Sequence, residues 1–110
     1  MFKQLLSGMF SSADHLSITE VPQALKNKNT ILLDVREVDE YQAGHIAQAL
    51  HHPLSKLSDF KGDKNKQYLI ICQSGMRSQR ATQFLTKQGY QAINVQGGMN
   101  AWNGPIKGGF

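Results

Sequence analysis

The stretch Tyr68-Leu69-Ile70-Ile71-Cys72-Gln73-Ser74-Gly75-Met76-Arg77-Ser78-Gln79-Arg80-Ala81-Thr82-Gln83-Phe84-Leu85-Thr86-Lys87-Gln88-Gly89 decides how the chain folds. Its first five residues are almost wholly apolar, the pattern of a strand covered on both faces. Residues 73–76 break the apolar run and contain a glycine, which makes them a loop. From 77 to 88 the spacing of Ala81, Phe84 and Leu85 predicts a helix with one apolar face, and Gly89 ends it. Strand, loop and helix in this order form half of a parallel crossover unit.

The same alternation extends outward. Thr30-Ile31-Leu32-Leu33-Asp34-Val35 is a second buried strand, residues 92–95 a third, and residues 49–52 a brief one stopped by Pro53. Between them, Ser17-Ile18-Thr19-Glu20 reads as a capping box opening a helix that tolerates Pro22 in its first turn. Residues 38–43 predict a short helix closed by Gly44 as a left-handed residue, and residues 54–60 a short helix or turn. Gly97-Gly98 opens a last short helix containing Trp102. Strands alternating with short helices give an α/β fold with a mainly parallel sheet. In such sheets function gathers at the carboxyl ends of strands, where Asp34 and Cys72 fall.

A chain of 110 residues supports one domain with one real core. We divide it into an N-terminal extension, residues 1–16, and a domain spanning residues 17–110. Phe2, Leu5, Leu6 and Met9 share a helical face in the extension. That face packs on the domain, forms a dimer contact, or rests on a membrane surface. Lys3, Gln4 and Ser7 interrupt any signal-peptide core, and no run approaches the length of a membrane span. One cysteine cannot form an internal disulfide, which with the missing leader points to the cytoplasm. The net charge of +4 comes largely from scattered lysines, with no basic stripe interleaved with aromatics, so nucleic acid is not an expected partner. A mildly positive field suits small anionic substrates and also serves solubility.

Cys72 is the residue to explain. A cysteine closing a buried strand is commonly a small hydrophobe. The residues after it support a reactive thiolate instead. Gly75 permits a tight loop with inward N–H groups, and a helix start aims further N–H donors at the same point. Arg77 adds a cation with forked donors. These features would stabilise a thiolate and cradle an anion in front of it.

Cys72-Gln73-Ser74-Gly75-Met76-Arg77-Ser78 resembles the active loop of the rhodanese family of sulfurtransferases. Leu33-Asp34-Val35-Arg36-Glu37, Glu40-Tyr41 and Gly44-His45-Ile46 are similar to that family's first signature. Gly89-Tyr90, Gly97-Gly98 and Ala101-Trp102 are similar to its closing one. The resemblance runs from about Ser17 to Pro105 and fits a stand-alone bacterial single-domain member. It implies a five-stranded, mainly parallel sheet flanked by helices on both faces. It implies Cys72 as nucleophile, taking sulfane sulfur from thiosulfate or a persulfide and passing it to a thiol, cyanide or a protein acceptor. Gln73, Ser74, Gly75, Met76, Arg77 and Ser78 would bind the substrate, while Asp34 and Arg36 would brace the loop as a buried ion pair. Four residues separate Cys72 from Arg77; by family analogy this narrow basket suits a sulfur atom, whereas related phosphatases use one residue more. The alternative is a protein-to-protein sulfur relay with little activity on thiosulfate. A catalytically dead module is disfavoured by the presence of both Cys72 and Arg77.

No cofactor is implied. Glu40 and His45 are expected to tie turns, and Trp102 to anchor the core through a satisfied indole N–H. The pattern departs from the family at His51-His52. Neighbours on an extended chain point to opposite faces and no Cys-x-x-Cys accompanies them, so no metal site is expected.

Overall fold

The structure is a computed structural model and describes residues 15–110. The amphipathic face at residues 2–9 lies outside the described residues. Five strands, β1 (His15–Ser17), β2 (Thr30–Asp34), β3 (Leu50–His51), β4 (Gln67–Ile71) and β5 (Gln91–Gln96), form one sheet in the order β1-β5-β4-β2-β3. Every pairing is parallel. The helices are α1 (Val21–Ala24), α2 (Val38–Ala43) and α3 (Met76–Lys87), with 3-10 turns at Ile18–Glu20, Leu54–Asp59 and Gly98–Ala101. No helix among the described residues is long and apolar enough to cross a membrane.

The period of two along each strand sorts the core into two layers. Leu32, Leu69, Ile71, Ile93 and Val95 point to one side, where they meet Val21 and Ala24 of α1. Leu33, Tyr68, Ile70, Cys72 and Ala92 point to the other and meet Ala81 and Leu85 of α3. Cys72 therefore shares a face with α3, one residue past the end of β4.

Several local expectations change. The sheet begins at His15, two residues ahead of the boundary drawn at residue 17, and only Leu16 of its first strand is buried, so no apolar run announces it. Ser17 does not build a capping box with Glu20; its Oγ accepts the Thr19 N–H at 3.3 Å and opens a 3-10 turn. The capping box belongs to Glu37 and Glu40 at the start of α2. Gly44, expected to be left-handed, is extended at φ 163°. A side chain there would meet Ile106 at 2.8 Å, so close approach of the C-terminal segment explains the glycine. On α3 the buried stripe is Ser78, Ala81, Thr82 and Leu85, while Phe84 sits at its edge, 37% exposed. Trp102 follows the last turn and is half-buried, its indole N–H donating to the Pro105 carbonyl at 3.1 Å.

Candidate functional site

The loop after β4 is short enough that its amides converge on the sulfur. Gly75 takes φ +104°, a left-handed conformation that costs a residue with a side chain roughly 1–2 kcal/mol. That turn brings the Gly75 N–H to 3.0 Å from Cys72 Sγ, and the first turn of α3 brings the Ser78 N–H to 3.3 Å. The thiol in turn lies 3.3 Å from Ser78 Oγ. Burial is the largest influence on the Cys72 thiol and pushes it up. Hydrogen bonding with the Ser78 hydroxyl, together with the Ser78, Gly75 and Ser74 N–H groups aimed at the sulfur, outweighs it and holds the thiol below its ordinary value.

A second segment grips the loop from behind. The Met99 N–H donates to the Cys72 carbonyl and the Asn100 N–H to the Gln73 carbonyl, both at 2.9 Å. Gln73 Nε2 adds a bond to Asn100 Oδ1 at 2.7 Å. Gly98 makes this approach possible: a Cβ there would stand 2.5 Å from the Cys72 carbonyl oxygen and 2.7 Å from that of Gln73.

Arg36 holds the front. Its Nε and Nη2 grip both Asp34 carboxylate oxygens at 2.9–3.2 Å, Nη2 also reaches the Gly44 carbonyl at 2.8 Å, and Nη1 donates to the Glu40 carbonyl and Gln73 Oε1. Asp34 and Arg36 are both buried, and the whole guanidinium is satisfied, which a buried ion pair requires. His51 supports this layer: its Nε2–H donates to the Arg36 carbonyl at 2.8 Å and its ring stacks on Tyr41. His52 turns the other way, toward the Lys56 carbonyl and the edge of Phe60. The opposite orientations follow from their adjacency on extended backbone. His45 donates from Nδ1 to the Tyr41 carbonyl and stacks on the other side of that tyrosine.

The six loop residues expected to bind the substrate take different positions around the sulfur. Ser74 and Met76 form an exposed rim, Met76 at 75%, with Gln73 half-buried beside them. Ser78 is fully buried and touches the sulfur instead; its hydroxyl also meets Asn94, which no sequence motif singles out. Arg77, expected as a cation with forked donors near the thiolate, is held in a two-pronged pair by the Glu40 carboxylate at 2.6 and 2.7 Å. The same pair, aided by the Glu37 N–H, draws Glu40 down to about 2. An anion does stand at the positive end of α3 beside Arg77, and it is the protein's own. The Glu37-Val38-Asp39-Glu40 spacing signals the cap, but nothing in the sequence signals that Glu40 reaches Arg77. Asn94 leaves a fainter trace, as a carboxamide set between the apolar Ile93 and Val95.

Two clefts flank the loop. One, of about 520 Å³, is lined by Arg36, Glu40, Gln73, Met99 and Trp102 among others. The second, of about 540 Å³, is lined by Ser74, Met76, Arg77 and Arg80 together with Gln79 and Gln83. Cys72 lines neither and has no exposed surface, so the rim of residues 73–76 separates its sulfur from both.

Comparison with known proteins gives the family and the fold. The model of the rhodanese-like domain family matches residues 17–105. The thiosulfate sulfurtransferase GlpE of Coxiella burnetii is 35% identical over 97 residues, covering 86% of this chain and 88% of its own. Among solved structures, a rhodanese-like domain protein from Staphylococcus aureus superposes with a TM-score of 0.80 at 30% identity, covering 88% of this chain and 99% of its own. The human single-domain sulfurtransferase TSTD1 follows at 0.74 and 29%, covering 82% and 95%.

Proposed function

The chain belongs to the rhodanese-like domain family, and from that premise we propose that it moves sulfane sulfur through a persulfide on Cys72. In the first half-reaction the Cys72 thiolate attacks the outer sulfur of thiosulfate. The S–S bond to sulfite breaks, sulfite leaves with the electron pair, and Cys72 carries a terminal persulfide sulfur. In the second, the thiolate of an acceptor attacks that sulfur and Cys72 departs as thiolate, with no net oxidation; cyanide in the same role leaves as thiocyanate. Two half-reactions on one carrier give ping-pong kinetics. A lone thiol of this kind suits a reducing compartment such as the cytoplasm.

The observation that carries the reading is the convergence of the Gly75 and Ser78 N–H groups on a sulfur held below its ordinary acidity constant. A structural cysteine needs neither. Asp34 and Arg36 act as the brace that keeps Gln73 and the loop in register, and Arg77 and Glu40 as a cation whose charge is half satisfied before a donor arrives. Intact-mass measurement tests the proposal. Incubation with thiosulfate should add the mass of one sulfur atom, a thiol should remove it, and Cys72→Ser should show neither change. Sulfur gain in Cys72→Ser, or none in the parent protein with either thiosulfate or a persulfide donor, refutes it.

A protein-to-protein relay is the second reading, favoured by the exposed Met76 at the rim beside Arg80. Turnover with persulfidated proteins well above that with thiosulfate would select it.

A further inference from the structure

The period that places Cys72 on the α3 face of the sheet places Ala92 and Asn94 there too, with Asn94 opposite Ile70 of β4. Asn94 is 3% exposed, flanked in its strand by Ile93 and Val95, so both ends of its carboxamide must find partners inside the protein. Nδ2 stands 3.3 Å from the Gly75 carbonyl, which can only accept, and 3.2 Å from His15 Nδ1. These contacts fix the amide's direction and leave Oδ1 facing Ser78 Oγ at 2.5 Å. A carbonyl oxygen only accepts, so the single Ser78 hydroxyl proton goes to Asn94, and the lone pairs of Oγ turn toward Cys72 Sγ at 3.3 Å. In this arrangement Ser78 accepts from the thiol.

We propose that Asn94 is a positioning residue for the Cys72 nucleophile, its carboxamide deciding whether the Ser78 hydroxyl accepts from the sulfur or donates to it. Once the thiolate forms, that one proton has two competing acceptors, Asn94 Oδ1 and Sγ. While Asn94 keeps it, the N–H groups of Gly75 and Ser78 stabilise the thiolate without the hydroxyl. Release of the proton adds a third donor. The inference rests on Cys72 being the nucleophile, but not on which donor or acceptor it serves.

Its test is the pH dependence of Cys72 alkylation by iodoacetamide, which needs no sulfur donor and so reads the thiol even if sulfur transfer fails. The charged and titratable groups around the loop are Arg77 of α3 with Glu40 of α2, Arg36 with Asp34 at the end of β2, and His15 of β1. The first four are untouched by changes at position 94, and His15→Ala in parallel controls for the imidazole's contact with Asn94. Asn94→Ala and the strand-compatible Asn94→Val should each lower the alkylation midpoint by about half to one pH unit, the shift worth one hydrogen bond. In a Ser78→Ala background the same substitutions should move it no further. An unmoved or raised midpoint, or a fall that persists without the Ser78 hydroxyl, overturns the proposal. A merely structural role would alter stability without this dependence on Ser78. The unmodified protein gives an independent reading: the Asn94 side-chain amide resonances should titrate with the Cys72 midpoint in NMR spectra, and their invariance would also overturn it.

Discussion

Glu40→Gln separates charge from shape at the site. Glutamine keeps an oxygen for the Glu37 N–H and for Arg77 Nη1, so the capping box survives, while the charge and the Nη2 prong of the Arg77 pair are lost. The folded protein lowers the Glu40 carboxyl from 4.5 to about 2. At about 1.4 kcal/mol per unit this bounds the stabilisation at about 3 kcal/mol. Part of that shift belongs to the retained Glu37 bond. The two side chains are also 35% and 31% exposed, so solvent screens them. The charge itself then contributes about 1 kcal/mol, at the upper end for exposed pairs because the geometry is two-pronged. In thermal unfolding that corresponds to a fall of about 4 °C. Because the carboxyl is lowered by folding, its contribution is complete above the unfolded value of 4.5 and is lost as pH falls toward 2. The gap between the parent and Glu40→Gln, measured by urea unfolding, should be constant near neutrality and close across that interval. The released Arg77 should also lower KM for thiosulfate. A gap that is absent at neutral pH, or that persists unchanged at the acid end, refutes the reasoning.

Alkylation of Cys72 should show a lower midpoint in the folded protein than in the urea-unfolded chain, since folding lowers the thiol. Stability relative to Cys72→Ser should accordingly rise as pH climbs from the folded midpoint to the unfolded one, and a falling gap would contradict it. Arg36→Met strands the buried Asp34 carboxylate and should cost about 3–5 kcal/mol in denaturant unfolding; a loss under about 1 kcal/mol would show that water or another cation replaces it. Gly98→Ala should cost about 2 kcal/mol or more and slow sulfur transfer, because its Cβ collides with two loop carbonyls. Gly75→Ala, where the nearest atom is 3.5 Å away, should cost only backbone strain of about 1–2 kcal/mol and chiefly raise the alkylation midpoint; the reverse ranking would mean that the loop yields more easily than its geometry indicates.

The buried strands at β2 and β4 were legible because parallel strands covered on both faces leave near-continuous apolar runs, and the loop after β4 was legible because a glycine and a helix start follow Cys72 directly. β1 was not, since a three-residue edge strand with one buried side chain has no periodicity to detect. The site was readable where its parts are neighbours in sequence and opaque where they are not. Arg77 and Glu40 lie 37 residues apart, Ser78 and Asn94 lie 16 apart, and both pairs exist only because the sheet order brings β5 and α2 against the same loop. The pairing of Arg77 was likewise unreadable, because its neutralising partner approaches from another element.

The grip of residues 98–100 on the Cys72 and Gln73 carbonyls has an evolutionary consequence. By family analogy a basket for a tetrahedral oxyanion carries one more residue between Cys72 and Arg77. The Cys72 and Gln73 carbonyls are held by the Met99 and Asn100 amides at 2.9 Å and backed closely by Gly98. An insertion that moved them would break both bonds unless the turn after β5 changed with it, whereas one taken up at residues 74–76 would leave them in place. Residues 72 and 73 are therefore tied to a second locus, and the loop can change length independently only after them.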